Sequence, residues 1–482
     1  MLAVAAAAGK AAEPPKAPGS AEGQKPNLII ILADDLGYAD LGCFGAQSIR
    51  TPCLDRMAAE GMKFTDFYAQ PMCGPSRAAL MTGCYPMRVA EHGNSKRLHP
   101  VLHREEITLA EVLKQQGYAT GCFGKWDLAQ HSQTNFKPDV MPNGQGFDSF
   151  LGTPSSNDVM VNLYRNEELV ESQVDMSTLT SRYTEEAIAF IDRHKEEPFF
   201  IYLPHTMPHI RLAVSPRFVG KSPRGLYGDV VEELDSSVGR ILNKVQAEGL
   251  AEKTWVLFTS DNGPWLARNR NKHDGSLPKD PGGSAGVLRS GKLSTWEGGV
   301  RVPAIFWAPG RVPPGTTCGC LASTLDVLPT FAALAGAQPP RDRVIDGEDI
   351  HFLLAGRFDE AAPEKTYHYY LHTHLQAVRQ GRWKLHLPRP ASMPWLEQLS
   401  PNSHIAAEDD VALAEPLLID LQSDPGEKTD VAAQHSEVVE RLLRAAAAAR
   451  QDIGDYDCAG VNQRFFDEGV TPAGHCRQVC DP

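Results

Sequence analysis

Four short, continuous runs of β-branched and aromatic residues stand out along the chain. Residues 28–33 read LIIILA, 198–203 PFFIYL, 255–260 WVLFTS and 302–307 VPAIFW. The first carries no alternating polar position, so it predicts a central strand buried on both faces. Between the runs, residues 109–116, 183–195 and 229–248 carry apolar residues at helical spacing. In the third stretch Val230, Val231, Leu234, Val238, Ile241 and Leu242 share one face. Strands alternating with amphipathic helices predict an α/β sheet covered on both sides. Open α/β sheets bind ligands beyond the carboxyl ends of their strands. Three of these ends run directly into polar chemistry: Asp34-Asp35, Pro204-His205 and Asp261-Asn262.

The texture changes after about residue 355. Residues 375–379 and 382–387 flank Gln380-Gly381 and predict a β-hairpin. Residues 417–421 predict another strand, followed by the turn Asp424-Pro425-Gly426. Ser436 is expected to cap a helix with Val438, Val439, Leu442 and Leu443 on one face. The resulting partition is a leader or disordered segment at 1–25, a principal α/β domain at 26–355, and a C-terminal α+β subdomain with a tail at 356–482. The polar Gly/Pro-rich stretch 275–286 is expected to line a cleft. No internal repeat is visible.

Composition narrows the function classes. The chain has 482 residues, 42% hydrophobic and 22% charged, which excludes wholesale disorder. A net charge of −13 and a pI near 5.7 argue against non-specific binding to nucleic acid or anionic membrane. No apolar run approaches the roughly 18 residues of a membrane span, so a soluble protein is expected. An anionic substrate would need positive charge concentrated in a pocket. The opening MLAVAAAAG resembles the end of a secretion signal without a basic n-region, and predicts a secreted, periplasmic or lumenal protein. Ten cysteines without a Cys-x-x-Cys pair give no support to a zinc ribbon or thioredoxin-type site. Cys458, Cys476 and Cys480 sit in a polar tail, where an exported chain would form a disulfide. Cys318 and Cys320 are read as structural or unpaired.

Asp34, Asp35, Asp261 and Asn262 form the first candidate site. Three carboxylates and an amide at strand ends repel one another unless a hard cation lies between them, and oxygen ligands suit Ca²⁺ or Mg²⁺. The alternative is a set of turn-capping side chains. The second candidate is the stretch 72–83, MCGPSRAALMTG. Its Cys-x-Pro-Ser-Arg spacing with a following Thr-Gly resembles the type I sulfatases of the alkaline phosphatase superfamily, of the arylsulfatase and N-acetylgalactosamine-6-sulfatase kind. The likeness extends to PNLIIILADDLGY at 26–38, TSDNG at 259–263, GKLSTWEGGVR at 291–301 and LIDLQSDPGE at 418–427. It covers roughly residues 26–450.

The resemblance implies a large mixed sheet flanked by helices, alkaline phosphatase-like, with the smaller C-terminal subdomain. It implies that Cys73 is converted to formylglycine by a formylglycine-generating enzyme and that the aldehyde hydrate is the nucleophile. Asp34, Asp35, Asp261, Asn262 and modified residue 73 would hold the cation, Ca²⁺ in preference to Mg²⁺. Arg77 would orient the hydrate, Lys125 and Lys292 would bind the sulfate oxygens, and His209 would protonate the leaving oxygen. Ser156 would contact substrate. The implied substrate is a sulfated carbohydrate or aryl sulfate. A phosphate or phosphonate ester hydrolase on the same scaffold is the alternative.

Two positions depart from the family pattern. Asp127 replaces the family's His in Gly-Lys-Trp-His, adding negative charge beside an anionic substrate, though an Asp can still act as a base. It leaves open a subfamily variant, a slow enzyme or an impaired glycan-binding relative. Arg211 stands where a Pro commonly follows and adds positive charge to the substrate pocket. Other residues carry blander readings. His205 and His209 have i, i+4 spacing, but Pro208 forbids the helix a zinc protease needs. His368, His372 and His374 fall on alternate positions of an expected strand, suiting a sugar-hydroxyl subsite better than a metal. Asp235 and Asp326 are read as caps or buried partners.

Overall fold

The computed structural model describes residues 25–89, 102–129, 136–157, 160–266, 282–360, 365–389, 412–464 and 478–479. Residues 1–24 of the expected leader and residues 275–281 of the expected cleft loop lie outside these, as do Cys476 and Cys480. The main sheet is built from β1 (Asn27–Ala33), β2 (Met62–Tyr68), β3 (Ala119–Lys125), β4 (Ser149–Thr153), β5 (Leu163–Arg165), β6 (Glu168–Glu171), β7 (Phe199–Pro204), β8 (Thr254–Ser260), β9 (Arg301–Trp307), β10 (Thr316–Cys318) and β11 (Ala322–Ser323). Its order is β10-β2-β9-β8-β1-β7-β3-β4-β5-β6, with β11 also pairing with β2. The five strands β8, β1, β7, β3 and β4 run parallel, and β9 runs antiparallel to β8. The sheet is therefore mixed, and five carboxyl ends open on one edge.

β1 explains why its run is uniformly apolar. Leu28, Ile30 and Leu32 enter one core, which holds helix Val327–Leu334 and the apolar face of helix Leu109–Lys114. Ile29, Ile31 and Ala33 enter the other, with helices Leu179–His194 and Gly225–Ala247. Each such side chain fully buried contributes about 1.5–3 kcal/mol, so a strand with two dry faces is strongly held. A Thr108–Glu111 capping box starts helix Leu109–Lys114, satisfying N–H groups that the helix itself cannot.

A second, antiparallel sheet orders β12 (Thr366–Leu371), β13 (His374–Gln380), β14 (Trp383–His386) and β15 (Leu417–Asp420). Helix Ser436–Asp452 buries Val438, Leu442, Ala446 and Ala449 against it. Gln380 pairs with Trp383 across the expected hairpin turn. Two expectations are corrected. His368, His372 and His374 do not share one strand. His372 occupies a turn at φ +54°, so His368 lies on β12 and His374 opens β13. Ser436 is the first helical residue instead of the cap; His435 precedes it, and its side chain makes no capping bond. Cys458 is disulfide-bonded to a partner outside the described residues. No described helix is long and apolar enough to cross a membrane.

Asp235 and Asp326 are buried partners, as read from the sequence. The Asp235 carboxylate accepts from Cys53 N at 3.1 Å and Leu54 N at 2.8 Å, capping helix Pro52–Glu60 from across the fold. Burial nevertheless pushes its carboxyl up to about 6 from 3.8. A folded value above the unfolded one means that the protonated form is favoured on folding. The contribution is full below pH 3.8 and is lost as pH rises through 6. Two units correspond to about 3 kcal/mol. Asp235→Asn should therefore flatten the fall in unfolding free energy between pH 4 and 7 by about that amount. Denaturant titrations of both proteins at several pH values would read it, and an unchanged slope would refute it.

Candidate active site

The carboxyl edge of the five parallel strands concentrates charge. β1 delivers Asp34 and Asp35, β8 delivers Asp261 and Asn262, and β3 ends on Lys125. Two backbone clasps knit these ends together. Asp34 N donates to Met207 O at 3.1 Å, and Asp261 N donates to Ala33 O at 3.2 Å. Close approach requires small residues at two points. A Cβ on Gly124, at φ +142°, would sit 1.8 Å from Pro204 O, and one on Gly263 would sit 1.8 Å from Gly298 O. Asp35, Asp127 and Leu293 adopt left-handed backbone conformations at φ +68°, +58° and +68°. Strain of this kind gathers where surrounding structure over-determines a functional site.

Cys73 is the first residue of helix Cys73–Thr82, every residue of which is buried. Pro75 is tolerated because the first turn lacks intrahelical N–H partners. The thiol donates to Asp34 Oδ1 at 3.3 Å and lies 3.8 Å from Asp35 Oδ1. Lys292 Nζ donates to Asp35 Oδ1 at 2.7 Å and to Cys73 Sγ at 3.0 Å. Lys125 Nζ donates to Asp34 Oδ2 at 2.7 Å. One turn along the helix, Arg77 Nε and Nη2 donate to Asp261 Oδ2 at 3.1 and 2.7 Å, with Asp34 Oδ2 at 3.5 Å. His209 Nε2 is 3.8 Å from Asp35 Oδ2. Lys125 also lies 3.8 Å from Asp127 Oδ2.

Ten of the twelve residues singled out from sequence thus converge: Asp34, Asp35, Cys73, Arg77, Lys125, Asp127, His209, Asp261, Asn262 and Lys292. The other two lie on loops. Ser156 is buried in the loop after β4, and Arg211 is exposed beyond His209. No helix joins His205 to His209. His205 is buried against Ser237, and desolvation pulls its imidazole down to about 3, so it stays neutral.

The electrostatics follow from packing so many charges without water. Burial raises the Asp34 carboxyl, yet Lys125, His209, Arg77 and Lys292 together hold it below the usual range. Burial and the neighbouring Asp34 charge push Asp261 up to about 7, against the pull of Arg77. Burial, with Asp261 and Asp34 beside it, raises the Cys73 thiol well above its ordinary value in spite of two lysines. These surroundings favour the thiol over the thiolate of an unmodified Cys73, and the thiol is the poorer nucleophile.

The donor set fits a hard cation. Asp34, Asp35, Cys73 and His209 offer ligand atoms within 4.8 Å of one another. Among the described residues no hydrogen bond reaches Asp35 Oδ2 or Asn262 Oδ1, both buried. Orphaned oxygens beside paired carboxylates are what a divalent ion would satisfy. Sequence reasoning assigned no part to Glu297, Lys384, His386 and Glu427, which form a second buried charge cluster behind Lys292. Glu297 and Glu427 fall in the stretches GKLSTWEGGVR and LIDLQSDPGE, and Lys384 and His386 in the expected hairpin strand 382–387.

Arg77→Met removes a guanidinium shared by two buried carboxylates. The expected cost is about 3–5 kcal/mol in a denaturant titration, because the carboxylates lose their partner without regaining water. Adding Asp261→Asn should recover part of that loss. A midpoint identical to the parent's would show that Arg77 does not hold these charges.

Comparison with known proteins identifies the family. Residues 26–337 match the Sulfatase family, and residues 362–480 match the C-terminal region of aryl-sulfatase. N-acetylgalactosamine-6-sulfatase of Canis lupus familiaris is 36% identical over 468 residues, covering 89% of this chain and 86% of that protein. Arylsulfatase A of Bos taurus is 36% identical over 505 residues, covering 97% and 96%. Among solved structures, a sulfatase from a glycosaminoglycan-metabolism locus of Bacteroides thetaiotaomicron superposes with a TM-score of 0.76 at 29% identity, covering 89% of this chain and 99% of that one. The relatives bearing these names are sulfuric ester hydrolases, and a phosphate or phosphonate ester hydrolase is not the favoured reading. By fold, family match and the convergence of its charged residues, the chain belongs to the sulfatase family.

Proposed function

We propose that this sulfatase acts on a sulfated carbohydrate through residue 73, oxidised from Cys to formylglycine, with a divalent cation held by Asp34, Asp35, Asp261, Asn262 and residue 73. The observation that carries the proposal is Cys73 itself: buried, first in its helix, and set between Lys292, Asp34 and Asp35. Burial and the neighbouring carboxylates disfavour a thiolate there, whereas an aldehyde hydrate at this position would supply a hydroxyl. Ca²⁺ suits the oxygen-rich donor set, with Mg²⁺ the second choice. When bound, the cation supplies positive charge that screens the sulfate oxygens from the carboxylates.

The chain's own residues then have distinct tasks. Lys125 and Lys292, both protonated because carboxylates surround them, present ammonium groups to the sulfate oxygens. Arg77 orients residue 73 from one turn along the helix while holding Asp261. His209 stands close enough to Asp35 to share the site and would give a proton to the leaving oxygen. Ser156 and the exposed Arg211 would contact the sugar. Asp127 fits a charge argument. With His209 carrying the proton it would give, four cationic groups (Arg77, Lys125, Lys292 and His209) face Asp34, Asp35, Asp127 and Asp261, so the charges of the site balance. A dication and a singly charged sulfate ester would then leave the loaded site with one positive charge, and a neutral His at 127 would leave two.

The partition into a leader at 1–25, a catalytic domain at 26–355 and a C-terminal subdomain at 356–482 is part of this reading. So is a secreted, periplasmic or lumenal location, which the disulfide at Cys458 supports. A carbohydrate substrate is supported by the names of the similar N-acetylgalactosamine-6-sulfatase and of the structural neighbour from glycosaminoglycan metabolism. A formylglycine-generating enzyme is the maturation partner that the reading requires.

The test measures free sulfate and free phosphate from matched aryl esters, with the protein co-produced with a formylglycine-generating enzyme. Sulfate release should exceed phosphate release, and Cys73→Ala should abolish it. Lys125→Ala and Lys292→Ala should each lower kcat/KM by about 10²–10³-fold. Equal release from Cys73→Ala would sink the reading. Chelation should remove activity and lower the thermal midpoint, with Ca²⁺ restoring both better than Mg²⁺; an indifferent midpoint would exclude a resident cation. Asp127→His tests the charge argument. An active parent with a variant altered mainly in KM is the expected result, and a variant that gains activity over an inert parent would identify Asp127 as an impairing substitution.

A further inference from the structure

Lys292 belongs to the main domain in sequence, but the segment that carries it is anchored from the other sheet. Trp296 N-terminal to helix Glu297–Val300 packs its ring against His386 at 4.1 Å, and the Arg289 guanidinium lies 3.6 Å from the same ring. Lys384 Nζ donates to Thr295 O at 2.7 Å and to Glu297 Oε1 at 2.9 Å. Glu297 N donates to Glu427 Oε2 at 2.6 Å, while Glu427 Oε1 lies 2.9 Å from Lys384 Nζ and 2.8 Å from His386 Nε2. Thr295 Oγ1 donates to Gln376 Oε1 at 2.8 Å, and Arg289 Nη1 donates to Glu427 O at 3.2 Å. Lys384, His386 and Glu427 are all buried, and they come from β14 and from the turn after β15.

The other end of the same segment is tied to the catalytic ring. Lys292 N donates to Pro264 O and Leu293 N to Pro71 O, both at 2.9 Å. Gly298 and Gly299 let the segment fold tightly on itself, since a Cβ on either would lie 2.2 Å from Ser290 O or Ser294 O. Between these two anchorages the backbone has little freedom: two residues, Leu293 and Ser294, separate Lys292 from the buried Thr295–Glu297 clamp. So short a link, fixed at one end by charge-assisted hydrogen bonds, passes position to the residue at the other.

We infer that Lys384 and Glu427 are positioning residues for Lys292: they clamp residues 295–297 and so hold the Lys292 ammonium against residue 73 and Asp35. The inference rests on the role given above to Lys292 in sulfate-ester cleavage. It makes the active site a product of both sheets, although neither residue touches the reacting atoms.

The experiment uses the full-length holoenzyme and two variants, Lys384→Met and the isosteric Glu427→Gln. Competitive acetylation with acetic anhydride, read by mass spectrometry, reports the accessibility of Lys292, with Lys125 as the internal reference on β3. Lys384→Met should raise Lys292 labelling about tenfold and Glu427→Gln about threefold, with Lys125 labelling within about twofold of the parent's. Unchanged Lys292 labelling in a folded variant overturns the inference, as does a parallel rise at Lys125, which would mean general loosening. A kinetic cycle adds a second decision. Lys384→Met should lower kcat/KM by about tenfold when Lys292 is present and by less than about twofold in the Lys292→Ala background. Equal losses in both backgrounds overturn the positioning role. A Lys292→Ala protein as active as its parent would instead refute the function assigned to Lys292, while the labelling still decides whether the clamp holds it.

Discussion

A buried balance of charge around Cys73 is the constraint on which the rest of the structure depends. Asp34, Asp35 and Asp261 are withdrawn from water on strand ends, where each alone would be expensive. Arg77, Lys125 and Lys292 reach them from a helix, a strand and a loop that are distant in sequence. Removing any one partner leaves an uncompensated charge in a dry site, so the five parallel strands, the helix bearing Cys73 and the segment bearing Lys292 must arrive together. The ring also explains why its carboxylates diverge. Asp34 has most of the nearby cations and stays ionised, while burial and its neighbour's charge push Asp261 up to about 7. A divalent ion held beside these carboxylates would lessen such divergence by adding positive charge.

A second buried cluster supports the first. Glu297 lies below the usual carboxylate range at about 2: burial raises it, but Lys384, Arg301 and Arg379 outweigh burial. Glu427, facing the same lysine, is driven up to about 7 by burial and by the charge on Glu297. Tyr369 OH donates to Glu297 Oε1 at 3.2 Å, and Tyr68 adds another hydroxyl, so the carboxylate that joins the two sheets is densely satisfied. Ion clusters of this kind contribute little net stability compared with apolar packing, but they specify one arrangement. Here that arrangement places a segment of the main domain against residues of the C-terminal sheet.

How much of this was legible in the chain depends on how local each signal is. The run at 28–33 identified β1 because a strand buried on both faces needs no polar alternation, and the long amphipathic stretch at 229–248 identified helix Gly225–Ala247 because its apolar stripe spans many turns. The strands β3 and β4 were not apparent, since ATGCFGK and SFLGT carry glycines that mark close backbone approach and dilute the β-branched pattern. The histidines at 368, 372 and 374 misled through spacing alone: alternate positions look like a strand face, but a left-handed turn at His372 splits them between two strands.

The sequence by itself determined the α/β class, the acidic pairs at the ends of β1 and β8, and the Cys73–Arg77 motif with the family it resembles, because each is written in contiguous residues. Only the tertiary structure decided that the Cys73 thiol is buried between Lys292 and Asp34, that Arg77 serves Asp261 and Asp34 together, and that Asp127 lies within reach of Lys125. The same is true of the reliance of Lys292 on Lys384 and Glu427. Burial and charge pairing depend on distances between segments tens to hundreds of residues apart, and no local pattern encodes them.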